Sequence, residues 1–174
     1  MIFENNNFIH EDVYIKDDSY TIGSNNAIDK GFYCTTRLQI GSYVHISPYV
    51  TSIGGLTTTL EIHGVNNIMA GARLICGSDR FDGSGLFGAM IPDDLKGRQV
   101  MAPVVLEKFS NVGTNAVVLP GSILREGVLL GAGSLLMGDT VPWGVYKGNP
   151  AKLVKIIDAT EAHRRYELLT ARTE

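Results

Sequence analysis

The sequence predicts an all-β chain wound into a solenoid of short parallel strands and corners. Three observations carry that prediction. Glycine supplies 20 of 174 residues, above the roughly 7 % of an average protein, and glycine takes the backbone angles of tight corners without a steric penalty. A period of six residues runs through the carboxy-terminal half. That period matches neither a 3.6-residue helix nor an alternating strand.

Residues 106 to 141 show the period most plainly. Written in rows of six, the first position reads Leu106, Val112, Val118, Leu124, Leu130 and Leu136, and the fifth reads Ser110, Ala116, Ser122, Val128, Ser134 and Thr140. A branched aliphatic residue pointing inward, followed four places later by a small residue where the chain bends, describes a strand and a corner. Three rows close one triangular coil, and coils stack by parallel ladders because a single coil cannot bury its own apolar face. The rhythm recurs over residues 22–51, led by Ile22, Ile28, Cys34, Ile40 and Ile46, and over 62–79, led by Ile62, Ile68 and Leu74. Between those blocks the frame slips by four at Ile53-Gly54-Gly55-Leu56-Thr57-Thr58, which reads as a small turn insertion.

Composition bounds the function. A formal charge of −3 lacks the basic face that phosphate backbones require, which argues against a nucleic-acid grip. Two cysteines cannot make a disulfide scaffold. No run approaches the ~18 apolar residues of a membrane span, and the start MIFENNNFIH has no basic region followed by an apolar one, so a soluble cytoplasmic protein without membrane insertion is expected.

Two segments depart from the rhythm. Residues 80–102 carry no period, and a long aperiodic segment inside a regular solenoid points to function. Residues 158–174 have helical composition, with Asp158 as the expected N-cap, Leu168 and Leu169 facing inward, and the helix covering the edge of the last coil.

The closing segment Val141-Pro-Trp-Gly-Val-Tyr-Lys-Gly-Asn-Pro-Ala-Lys152, with the six-residue rows, resembles the hexapeptide-repeat acyltransferases. The resemblance covers roughly residues 13–157. It implies a left-handed parallel β-helix over 1–157, a projecting loop at 80–102 that helps wall an active site between neighbouring subunits, a homotrimer, and a short helix over 158–174. Ser78-Asp79 with Phe81-Asp82-Gly83-Ser84-Gly85 and Ile91-Pro92 resembles the branch that acylates sugars of surface polysaccharides, including nucleotide-linked amino sugars.

Acyl transfer from a thioester needs a deprotonated nucleophile, a donor for the oxyanion and exact placement. There is no Gly-x-Ser-x-Gly elbow and Cys34 leads a core row, so direct attack by the acceptor is expected. The candidate catalytic residues are His45, expected at a corner, and Asp79, where many members of the superfamily carry histidine. The resemblance implies that Asp79 holds an acceptor amine and takes its proton. Candidate acceptor contacts are His63, Ser78, Arg80, Asp82 and Ser84. Coenzyme A, as acetyl-CoA or another acyl-CoA, is the implied co-substrate, with Lys147 and Lys152 near its phosphates, Asn149 and Pro150 in the adjoining turn, and Ala132 and Ser134 among the small residues along its pantetheine arm. Trp143 or Tyr146 would either cover the adenine or anchor the terminal helix. No metal is expected.

Three alternatives stay open. An O-acetyltransferase would use His45 or His63 as base. A carbonic anhydrase of the same fold would need three zinc-binding histidines, and His10, His45, His63 and His163 lack close spacing. A catalytically empty scaffold would have no use for the loop and the terminal turn.

Overall fold

The computed structural model describes residues 5–172. The chain climbs through parallel coils, one strand per face. The first coil holds β1 (Phe8–Ile9), β2 (Tyr14–Ile15) and β3 (Thr21–Ile22); the second β4 (Ala27–Ile28), β5 (Tyr33–Cys34) and β6 (Arg37–Ile40). The third holds β7 (Val44–Ile46), β8 (Thr51–Ile53) and β9 (Thr59–Ile62). The fourth begins with β10 (Asn66–Ile68) and β11 (Arg73–Ile75), throws out a hairpin of β12 (Gly77–Asp79) and β13 (Gln99–Met101), and closes with β14 (Val104–Leu106). Then follow β15 (Asn111–Val112), β16 (Val117–Val118) and β17 (Ile123–Leu124), and above them β18 (Leu129–Leu130) and β19 (Leu135–Leu136). The chain ends in the hairpin β20 (Gly144–Gly148) and β21 (Ala151–Ile156) and helix α1 (Thr160–Thr170).

Three faces result. Face one orders β1-β4-β7-β10-β15-β18-β20-β21, face two β2-β5-β8-β11-β16-β19, and face three β3-β6-β9-β14-β17. All neighbours within the faces pair in parallel except β20 with β21. The row leaders are the core: Ile28, Cys34, Ile46, Ile68, Leu74, Leu106, Val118 and Leu124 are all buried, stacked one above another along each face. The small fifth residues are buried as well and answer backbone groups at the corners. The Ser122 hydroxyl accepts from the Gly138 N–H at 3.1 Å, and the Thr140 hydroxyl donates to the Ile123 carbonyl at 2.9 Å. In the amino-terminal half the same position holds large buried residues, Phe32, Leu38, Val44 and Val50.

The corners carry the left-handed backbone that such tight turning demands. Between faces three and one, Asn25, Tyr43, Val65, Phe109, Gly127 and Trp143 form a column with positive φ. Glycine is required at Gly127, where an added Cβ would collide with the Trp143 ring.

Five expectations need correction. The repeat breaks at Gly77, three residues before the expected 80, because 77–79 pair antiparallel with 99–101 as the stem of the extrusion. His45 lies within β7 rather than at a corner. Strand β21, not the helix, covers the last edge of face one, since antiparallel pairing satisfies the open β20 ladder directly. Leu168 is 48 % exposed and Leu169 half-buried, because the helix docks through His163 and Tyr166 instead. The helix starts at Thr160 with Ala159, not Asp158, at its N-cap; the Asp158 carboxylate accepts from the Thr160 amide at 3.0 Å, one residue before the cap position.

Candidate active site

The stem of the extruded hairpin opens a cleft of about 350 Å³ lined by Thr35, Ile53, Gly54, Gly55, Ser78, Asp79 and Gln99, among others. Its floor is a close approach of backbones: a Cβ on Gly54 would lie 2.7 Å from the Gly77 nitrogen, so neither position has room for a side chain. Asp79 and Gln99 stand opposite each other in the stem, and Gln99 Nε2 donates to Asp79 Oδ1 at 2.9 Å. One carboxylate oxygen is thereby engaged, while the half-buried side chain still faces the cleft.

Beyond the stem the loop holds itself together. Asp82 accepts from the Ser84 N–H at 3.0 Å and pairs with Arg98 at 2.9 Å and Arg80 at 3.7 Å. The Ser84 hydroxyl accepts from the Arg98 N–H at 2.8 Å. The Ser84 hydrogen bond, helped by the two guanidinium groups, holds the Asp82 carboxyl below the usual carboxylate range. Ser78 and Asp79 thus line the cleft, whereas Arg80, Asp82 and Ser84 are committed to the loop. Along the loop Phe81, Leu86, Met90 and Leu95 are exposed.

His45 points outward from face one and lines a separate cleft of about 410 Å³ with Asn6, Asn25, Asn26 and Tyr43. Its Nε2 lies 2.9 Å from Asp29 Oδ2. The parallel register of β4 with β7 sets Ala27 beside His45 and so carries Asp29, two residues on, to the same outer surface. His45 and Asp79 therefore occupy different faces of one chain. His63 joins neither: it lies 3.8 Å from Glu61 and lines a third cleft with Phe109, Glu126, His163 and Tyr166. Among the described residues, no group of three or more His, Cys, Asp or Glu side chains is placed to hold a metal.

At the carboxy-terminal end the candidate coenzyme residues converge. Gly148 and Ala151 close the β20–β21 hairpin around Asn149 and Pro150, whose peptide bond is cis. Lys147 and Lys152 are direct cross-strand partners, both exposed. Ser134 is buried, and its hydroxyl accepts from the Gly148 N–H at 3.0 Å, pinning the turn to the last coil beside exposed Ala132. Ser134 is thus a structural support for the turn. Trp143 packs edge-on to His163 at 5.2 Å and lies 5.8 Å from Phe109, so it anchors the helix. Tyr146 is half-buried against the core, with its hydroxyl accepting from the Val141 N–H at 2.9 Å.

Sequence reasoning missed Asp29 and Gln99. Asp29 was open to discovery, since it sits one coil below His45 on the same outer surface and three rows of six make one coil. Gln99 carries no such signal, because its partner lies 20 residues away across an aperiodic loop.

No protein-family model matches the chain. Among known proteins it is 27 % identical over 140 residues to the dTDP-4-amino-4,6-dideoxy-D-glucose acyltransferase of Escherichia coli, covering 78 % of this chain and 70 % of that protein. It is 28 % identical over 171 residues to the putative lipopolysaccharide biosynthesis O-acetyl transferase WbbJ, also of Escherichia coli, covering 89 % and 81 %. The structure superposes on AntD, an N-acyltransferase from Bacillus cereus in complex with dTDP and 3-hydroxybutyryl-CoA, with a TM-score of 0.87 at 26 % identity, over 97 % of this chain and 89 % of that one. The three-faced coils, the terminal turn and these similarities agree: the chain is a parallel β-solenoid, and what it is similar to in sequence and in structure are sugar N- and O-acyltransferases of the hexapeptide-repeat kind.

Proposed function

We propose that this protein transfers an acyl group, in the simplest case acetyl, from acyl-CoA to the amino group of a nucleotide-linked amino sugar for surface polysaccharide synthesis. The observation that carries the reading is Asp79, a carboxylate at the root of the extruded hairpin with Gln99 on one oxygen. A neutral amine is already a nucleophile, so a carboxylate suffices to orient it and to accept or relay its proton, where a hydroxyl would need a stronger base. The E. coli and B. cereus relatives, named for a dTDP-amino sugar and bound to dTDP and an acyl-CoA respectively, support the same acceptor class.

In this reading the acceptor amine sits against Asp79, and Ser78 lines the same cleft. A backbone amide of a coil holds the oxyanion. Lys147 and Lys152 meet the phosphates of the donor, with Ala132 beside its arm. His45 assists from a neighbouring copy, because within one chain it lies on another face from Asp79. That requirement, with the exposed apolar side chains Phe81 and Met90 on the loop, supports a homotrimer with shared sites. A cytoplasmic location fits a donor and an acceptor made there; no helix among the described residues is long and apolar enough to cross a membrane.

A second reading, O-acetylation of a sugar hydroxyl, draws on the similarity to WbbJ and on the His45–Asp29 pair, which suits general-base work. A mass-spectrometric screen of nucleotide-sugar amines and unsubstituted sugars with acetyl-CoA tests both. Product on the amines, with residual rate returning at high pH in His45→Ala, supports N-acylation. Product on hydroxyls alone, with His45→Ala inactive at every pH, replaces it.

A further inference from the structure

We propose that Asp29 is a positioning residue, fixing the His45 imidazole as its Nε2–H tautomer and leaving Nδ1 as the atom that relays the acceptor's proton. The inference rests on the acyl-transfer reading and adds a residue to it.

The contact selects one tautomer of the neutral ring. An ionised carboxylate has only acceptor sites, so a contact of 2.9 Å between Asp29 Oδ2 and His45 Nε2 places the ring hydrogen on Nε2. The neutral imidazole then carries its lone pair on Nδ1. The arrangement is built from the backbone up: the Asp29 N–H donates to the Ile46 carbonyl at 2.8 Å, which locks the carboxylate-bearing residue against β7. The neighbouring cation is drawn elsewhere, since Lys30 pairs with Asp12 at 3.1 Å. Among the described residues the ion pair of Asp29 is with His45 alone. On the other side of His45, across the β7–β10 ladder, stands Asn67, which brings no charge. The Asp29 side chain is 28 % exposed and that of His45 45 %, so the carboxylate lies beneath and the ring remains open to the 410 Å³ cleft.

The step balances without further reactants. The acceptor nitrogen bonds to the thioester carbonyl carbon and the carbon–sulfur bond breaks. One proton leaves that nitrogen by way of Asp79, passes to Nδ1 of the His45 that a neighbouring copy of the chain contributes, and ends on the coenzyme thiolate. Asp29 stays ionised throughout and stabilises the transient imidazolium.

The test compares Asp29→Asn, Asp29→Glu, His45→Ala and the double variant Asp29→Asn/His45→Ala, in the full chain. Asp29→Asn is expected to lower kcat about 10-fold to 100-fold, the range for outer partners that orient an imidazole, with KM for acyl-CoA unchanged. Asp29→Glu should recover part of the loss. In the His45→Ala background Asp29→Asn should add nothing, because both act through one ring. Long-range proton–nitrogen spectra of ¹⁵N-histidine protein should show His45 as Nε2–H in the parent and as mixed tautomers in Asp29→Asn, whether or not an acceptor is known. An Nδ1–H tautomer in the parent, or full kcat in Asp29→Asn while His45→Ala is impaired, overturns the role of Asp29 and leaves acyl transfer standing. A chain that acylates no amine or hydroxyl, yet holds His45 as Nε2–H, overturns the functional reading instead.

Discussion

Asp79 and Gln99 face each other across the hairpin stem, with Gln99 Nε2 on Asp79 Oδ1 at 2.9 Å. The hydrogen bond restrains the carboxylate of a residue that lines the cleft, and it engages Oδ1 only. Asp79→Ala should cut kcat by about 100-fold or more, the scale for losing a general base. Gln99→Ala should cost about 10-fold in kcat, through a carboxylate that is still present but unplaced. Steady-state rates with a fixed amine acceptor check both, and a Gln99→Ala enzyme more impaired than Asp79→Ala would contradict this order.

Lys147 and Lys152 oppose each other across an antiparallel pair, an arrangement that disfavours two like charges by a few tenths of a kcal/mol. An anion between them relieves it. Alanine at either position should raise KM for acyl-CoA about 10-fold, equivalent to roughly 1.4 kcal/mol, with kcat at saturation unchanged. The parent KM should climb with added salt as the charges are screened. Titrating donor concentration at two ionic strengths provides the measurement.

Gly127 lies in the left-handed region at φ 68° under the indole of Trp143, which reaches His163 of the helix. Gly127→Ala adds both backbone strain and a collision, and should destabilise the fold by about 1–3 kcal/mol. Trp143 is the only tryptophan in the chain, so its fluorescence should shift in the variant as the ring is displaced. An unchanged spectrum with a lowered melting temperature would place the damage elsewhere.

Burial pushes the Cys76 thiol up to about 11 and raises that of Cys34, so both are protonated at neutral pH. Folded protein at pH 8 should leave an aromatic disulfide reagent unreacted over minutes. Denatured protein should titrate both thiols at once.

Arg125 spans Glu107 at 3.0 Å and Asp139 at 2.6 Å on the outside of face three. Its hydrogen bond holds the Asp139 carboxyl below the ordinary carboxylate range. A depressed folded-state value means the contribution is complete above the unfolded value near 4 and is lost as pH falls through the folded one. Melting temperatures between pH 5 and 2 should drop less steeply in Arg125→Met than in the parent. Parallel curves for the two would remove this network from the acid response.

The six-residue rhythm made the core legible because inward aliphatic positions and buried corner residues repeat with the coil, and thirteen row leaders from Ile28 to Leu136 are buried where the period puts them. The terminal turn was legible for the same reason, being local: Lys147, Asn149, Pro150 and Lys152 lie within six residues and meet in one hairpin. Partnership across faces and across the aperiodic loop was not. Gln99 reaches Asp79 only because 77–79 and 99–101 pair as a stem, and His63 is drawn to the helix rather than to the cleft of Asp79. Leu168 remains exposed because docking of the helix was decided by aromatic contacts at Phe109 and Trp143, which no helical periodicity encodes. The sequence by itself determined the repeating unit, since burial and turning are local demands met every six residues. Only the tertiary structure decided which polar side chains face one another, because coil stacking and hairpin closure join residues that the chain holds far apart.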